Sequence, residues 1–161
     1  IDLCEQPSCA AILETLLNRQ PKSWTELASD LRLHSTTIRR WLKRLVEEDL
    51  VRTVDNGYVL SPSGKTPRVL IWSFEGKLRN WQRALYQATR YRAFSHRSFV
   101  VMPEQCIAPA LKNLDRFKRA KIGLIGVDDD GNITVHSRPP HRVPRSPIYH
   151  RVAGAKALQG V

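Results

Sequence analysis

The chain has 161 residues, 42% hydrophobic and 25% charged, with 26 Lys and Arg against 15 Asp and Glu and a formal net charge of +11. That balance fits a folded, soluble chain of one medium domain or two small ones and excludes a disordered one. No apolar run approaches the roughly 18–20 residues that cross a bilayer, so a transmembrane protein is excluded and a cytoplasmic location is expected. Ile1 at the start and Met102 as the sole methionine read as a fragment or a trimmed chain, with no targeting segment visible. Cys4, Cys9 and Cys106 are odd in number and include only one close pair. They suggest neither a disulfide framework nor a zinc site.

The positive charge is unevenly placed. Residues 1–60 hold 8 Lys and Arg against 9 Asp and Glu, whereas residues 61–161 hold 18 against 6. Concentrated positive charge favours polyanions, because each neutralised phosphate releases counterions. An inert solubilising surface and an anionic membrane are the alternatives; nucleic acid is the expected partner.

In chain order, Ala11, Ile12, Leu13, Leu16 and Leu17 fall near helical spacing within Cys9 to Arg19, and Pro21 stops that helix. Ser23 and Glu26 form a capping box for a second helix with Leu27, Ala28 and Leu31 inward. Ser35 is expected to cap a third helix, STTIRRWLKRLVEEDL. One of its faces holds Ile38, Trp41, Leu42, Leu45 and Val46; the other holds Thr36, Thr37, Arg39, Arg40, Lys43 and Arg44. Two short β-rich runs around Asp55-Asn56-Gly57 then predict a hairpin.

Three helices, a short turn at 32–34 before the third, and a hairpin resemble a winged helix-turn-helix domain over residues 8–60. The resemblance implies that the third helix enters the major groove while the wing touches backbone or minor groove. Thr36, Thr37, Arg39, Arg40, Lys43 and Arg44 are then the expected DNA-binding residues. A merely solvated charged face and a protein-docking module are the competing readings. Trp41 is expected in the core and His34 on the surface.

The run SPSGKTP marks a linker, which places the first domain at 1–62 and a second at 67–138. RVLIWSFEGK reads as a strand with Val69, Ile71, Ser73, Glu75 and Lys77 on one face. An acid and a lysine there are costly unless exposed or paired. A helix follows, with Trp81, Ala84, Leu85, Ala88 and Tyr91 as its apolar stripe, and then the buried strand HRSFVVMP. After Pro103 a helical run carries Leu111, Leu114 and Phe117, then come strand IGLIGV, the turn DDDGN and strand ITVH. This order predicts a parallel β-α-β pair extended by an antiparallel strand, a mixed sheet. Asp128, Asp129 and Asp130 lack calcium-loop spacing and read as a turn. Residues 139–161 are basic and proline-rich, predicting an extended arm with at most a short helix after Ile148.

Glu75-Gly76-Lys77 and the helix spacing Gln87-x-x-x-Tyr91 resemble the PD-(D/E)XK, or restriction-endonuclease-like, superfamily from about Arg68 to His136. The fold class expected is therefore α+β and α/β: a winged helix followed by a restriction-endonuclease-like α/β domain. The resemblance implies that Glu75 helps hold Mg²⁺ or Mn²⁺, that Lys77 positions the attacking water, and that Gln87 orients groups at the site. Arg83, Arg90 and Arg92 would contact phosphates. That family also needs a further Asp on the preceding strand, and no carboxylate lies between Leu60 and Glu75. Asp55 is the nearest upstream candidate for the second metal ligand, although Asp-Asn-Gly also reads as the wing turn. Glu75 and Lys77 can equally form a structural ion pair. The expected function is a metal-dependent DNA endonuclease acting on double-stranded DNA, with a homodimer as the candidate assembly and no membrane partner. The alternatives are a catalytically inactive DNA-binding transcription regulator on a decayed nuclease core, and a protein-interaction module.

Overall fold

The computed structural model describes residues 2–65 and 69–159; residues 66–68, including the expected start of the strand at Arg68, lie outside the described residues. The chain divides into two compact units, one of residues 1–69 with 147–161 and one of residues 70–146.

In the first unit, α1 (Pro7–Thr15) starts two residues before the expected Cys9, because Pro7 occupies the first turn, where its missing N–H costs nothing. The helix runs into a 3₁₀ turn at Leu16–Asn18 and stops at Arg19, which takes the left-handed conformation. Helix α2 (Trp24–Leu31) opens with the predicted capping box. Glu26 N–H donates to Ser23 Oγ at 3.3 Å, and Ser23 N–H donates to the Glu26 carboxylate at 2.7 Å. Helix α3 (Ser35–Glu47) begins where expected, but its cap is His34 and not Ser35: the Thr36 N–H donates to His34 Nδ1 at 3.4 Å. Leu13, Leu16, Leu27, Ile38, Leu42 and Leu45 form the core between these helices, with Trp24 and Trp41 packed against it. Val46 was expected on the apolar stripe and instead sits at its exposed rim. Cys9 lies in the same core, where burial first and the neighbouring Cys4 second push its thiol up to about 12, so it stays protonated.

Strands β1 (Val51–Val54) and β2 (Gly57–Leu60) pair antiparallel about Asp55 and Asn56. The hairpin is tied to the helices by Lys22, which exchanges backbone hydrogen bonds with Tyr58 at 3.1 and 2.9 Å. Gly57 makes this possible. Its φ is +134°, and a Cβ there would lie 2.5 Å from the Lys22 carbonyl.

The second unit is a four-stranded mixed sheet in the order β3 (Trp72–Gly76), β4 (Arg97–Pro103), β5 (Gly123–Val127), β6 (Ile133–Ser137). The first three strands are parallel and β6 is antiparallel, as the strand, helix, strand alternation predicts. Helix α4 (Trp81–Tyr91) connects β3 to β4. The single helical run expected after Pro103 is two short helices, α5 (Ala108–Leu111) and α6 (Leu114–Ala120). Asn113 parts them, its side-chain amide donating to the Pro109 carbonyl at 2.9 Å. The core lies on one sheet face, with Val100, Met102 and Leu124 under Trp81, Ala84, Ala88 and Phe117. The three aspartates form the expected turn: Asp128 Oδ1 accepts from the Asn132 N–H at 2.7 Å and the Asp130 N–H at 3.0 Å.

The tail corrects the expectation of an arm over 139–161. Pro147–Gln159 is a helix, α7, and belongs to the first unit. Arg151, 3% exposed, donates from Nε to Glu14 Oε1 on α1 at 2.6 Å and from a terminal nitrogen to the Gly64 carbonyl at 2.9 Å. Small residues allow the close approach: Gly154 is buried, and a Cβ on it would sit 3.2 Å from Val69. Truncating one partner of a buried ion pair strands the other, at a cost of about 3 kcal/mol. Arg151→Ala is therefore expected to lower the unfolding free energy of the first unit, read from its urea transition, by about that amount, and Arg151→Lys, which keeps the charge but loses the fork, by less. An unchanged midpoint in Arg151→Ala would show that α7 is not held by this pair.

Candidate nucleic-acid interface and carboxylate cluster

Burial of Ile38, Leu42 and Leu45 turns the opposite face of α3 to solvent. Thr36, Arg39, Arg40, Lys43 and Arg44 are all exposed on it and Thr37 is half-buried, so the structure brings all six predicted residues onto one helix. Thr36 Oγ1 lies 2.8 Å from His34 Nδ1, which fixes both side chains at the start of the helix. The Arg39 guanidinium lies 3.9 Å from the Trp24 ring centroid, and Arg40 and Arg44 flank Trp41 at 5.0 and 5.3 Å. These cation–π contacts hold the guanidiniums without neutralising them. Lys43 pairs only loosely with Glu47, at 3.9 Å with both side chains exposed, a contact of little energetic weight. Trp24 is the residue that sequence reasoning missed here; it caps the inner side of Arg39 from the preceding helix.

In the second unit Glu75 is 7% exposed on the inner face of β3. Its Oε1 accepts from Lys77 Nζ at 2.8 Å and its Oε2 from the Tyr91 hydroxyl at 2.5 Å. The Lys77 bond first and the Tyr91 bond second hold this carboxyl below the usual range, with a smaller contribution from the charge of Arg83. The bond to Glu75 in turn raises Tyr91. Arg83, Gln87 and Tyr91 follow one another at four-residue spacing and so share a face of α4. Gln87 Oε1 is buried with no hydrogen-bond partner among the described residues. Arg90 is exposed on the last turn of α4, and Arg92 caps that helix, half-buried.

These residues do not fit a divalent cation. Both oxygens of Glu75 are engaged by donors, and hard cations need several oxygen ligands. Asp55, the proposed second ligand, occupies the β1–β2 turn of the first unit. Among the described residues there is no group of three or more His, Cys, Asp or Glu side chains able to hold a metal ion. The alternative reading of Glu75 and Lys77, a paired acid and base on one strand face, is the arrangement observed.

Residues 7–56 match the MarR family model, less than half of the chain but all of α1 to α3 and the β1–β2 turn. No curated protein and no solved structure matches the chain. The resemblance of the second unit to nucleases thus rests on the Glu75, Lys77, Gln87 and Tyr91 pattern alone. No helix among the described residues is long and apolar enough to cross a membrane. The first unit carries a winged helix similar to the MarR family.

Because Glu75 is depressed in the folded state, the stability it contributes is present above the ordinary glutamate range and lost as pH falls through its lowered folded value. Lys77→Met is expected to move the Glu75 carboxyl titration, followed by NMR, upward, and Tyr91→Phe to move it by less. The stability deficit of Lys77→Met should be largest at neutral pH and vanish in acid, where Glu75 is protonated in both proteins. A deficit independent of pH would assign the loss to packing instead.

Proposed function

We propose that the chain is a DNA-binding transcription regulator that reads duplex DNA with α3 and steadies it with the β1–β2 wing. The observation that carries this reading is the exposed face of α3, where Arg39, Arg40 and Arg44 are stacked on tryptophans rather than paired with acids. Hydroxyls and guanidiniums at the N-terminal half of such a helix contact base edges and phosphates. Glu47, Glu48 and Asp49 lie at its far end, where they repel phosphate least. MarR regulators bind DNA, typically as dimers, which supports both a DNA partner and a homodimer for this chain.

Metal-dependent cleavage of DNA is the second reading. Glu75, Lys77, Gln87 and Tyr91 favour it, since they occur in the nuclease-like pattern on β3 and α4. The donor set at Glu75 counts against it.

One binding series separates the two. Affinity for duplex DNA should fall linearly with log salt, and Arg39→Gln with Arg40→Gln should flatten the slope by about 2 and weaken binding at least ~10-fold at physiological salt. Added Mg²⁺ or Mn²⁺ should leave supercoiled plasmid intact. Nicking that needs metal and disappears in Glu75→Gln would replace the regulator by the nuclease, and binding indifferent to salt would remove both.

A further inference from the structure

The tail segment that precedes α7 is not a loose arm where it passes the second unit. Arg142 N–H donates to the His96 carbonyl at 3.1 Å, Arg145 N–H to the Arg92 carbonyl at 3.1 Å, and Ser146 N–H to the Ala93 carbonyl at 2.9 Å. Residues 142–146 are therefore held against residues 92–96 by three backbone hydrogen bonds. The His141 ring stacks on His96 at 5.1 Å with 11° between planes, and His96 Nδ1 accepts from the Ile71 N–H at 3.2 Å. These bonds place Arg142 and Arg145 beside the segment that starts at Arg92, the C-cap of α4, near enough for both charges to act on it.

Three guanidiniums gathered this way repel one another. Arg92 is displaced below the usual arginine range by its burial first and then by the charges of Arg145 and Arg142. One terminal nitrogen of Arg92 donates to the Ala120 carbonyl at the end of α6, at 3.1 Å. That carbonyl is the nearest thing to a counter-charge, a partial negative end of a helix dipole. Among the described residues none of the three arginines is paired with a carboxylate. Of the unit's six acids, Glu75 is engaged by Lys77 and Tyr91, Glu104 by His136, Asp128 by its own turn and Asp129 by Gln105. Backbone hydrogen bonds thus keep like charges near one another with no carboxylate ion pair to any of them among the described residues, an arrangement that suits an anion from outside.

We infer that Arg92, Arg142 and Arg145 form a phosphate-binding site in the second unit, occupied by a phosphodiester of the DNA that the winged helix reads. Guanidinium forks match phosphate oxygens in pairs, and the planar fork loses less freedom per hydrogen bond formed than a lysine would. The site contributes affinity and not sequence preference, since a phosphate carries no base information. The inference rests on the DNA-binding reading of α3 and adds a second, independent grip to it.

The test uses the full chain, a duplex and two paired variants. Arg142 and Arg145 are exposed, so Arg142→Gln with Arg145→Gln removes two charges without opening the core. That variant should flatten the salt slope of duplex binding by about 2, with equal loss on specific and random sequence, and Arg142→Lys with Arg145→Lys should keep most of the slope. If the wild-type chain binds duplex and the glutamine variant binds with the same slope, this inference fails and the reading of α3 stands. If the wild-type chain does not bind duplex, both fall. If inorganic phosphate raises the melting temperature of the wild type but not of the glutamine variant, and duplex DNA does not compete, the site takes free phosphate and the inference is overturned.

Discussion

Burial of Ile38, Leu42 and Leu45 is the constraint on which the exposed basic face of α3 depends. Fully removing each such side chain from water contributes about 1.5–3 kcal/mol. Together they fix the rotation of α3 about its axis, because any other rotation would expose them and bury arginines. The helix period then settles where Thr36, Arg39, Arg40 and Lys43 point. Trp24 and Trp41 complete the arrangement by giving the guanidiniums a surface to lie on. The charges are held and remain available, which an acid partner would not permit.

The second unit solves a different problem. Its edge strand β3 turns polar residues inward and aromatic ones outward: Ser73 and Glu75 are buried, while Trp72 and Phe74 are about half exposed. The inversion is stable because each buried group has a partner. Ser73, Ser95 and Ser98 bond to one another at 2.8–3.0 Å, and Glu75 is closed by Lys77 and Tyr91. Phe99, buried on the neighbouring strand, supports the outward aromatics by stacking on Phe74 at 5.3 Å. Gln87 Oε1 is the exception, a buried acceptor left without a donor beside an otherwise complete network.

The winged helix was legible because its signals are local. The Ser23–Glu26 box, the α3 stripe and the Asp-Asn-Gly turn each depend on residues within a few positions of one another. His34 as cap escaped notice, since Ser35 is the commoner capping residue and a histidine nitrogen the rarer acceptor. The mixed sheet was legible in its order and in the face that Ser73 and Glu75 share, but not in which face of β3 is buried. Helix α7 was hidden twice. Four prolines between 139 and 147 announce irregular chain, and Gly154 with its alanines leaves no apolar stripe. Its anchor, Arg151 on Glu14, spans 137 positions and leaves no trace in spacing. The gathering of Arg142 and Arg145 beside Arg92 is long-range in the same way. The metal-site expectation came from a motif pattern, and the pattern is present; among the described residues Glu75 belongs to no group of three or more side chains able to hold a metal ion.

Recognition of DNA by this chain depends on α3 being the surface that meets the duplex. Backbone amide NMR of the full chain, titrated with a short duplex, reads this residue by residue. The largest shifts are predicted at Ser35–Arg44 and at the wing turn Asp55–Gly57, with the buried positions Leu13 and Leu27 unmoved. Shifts confined to the second unit, with α3 silent, would contradict it.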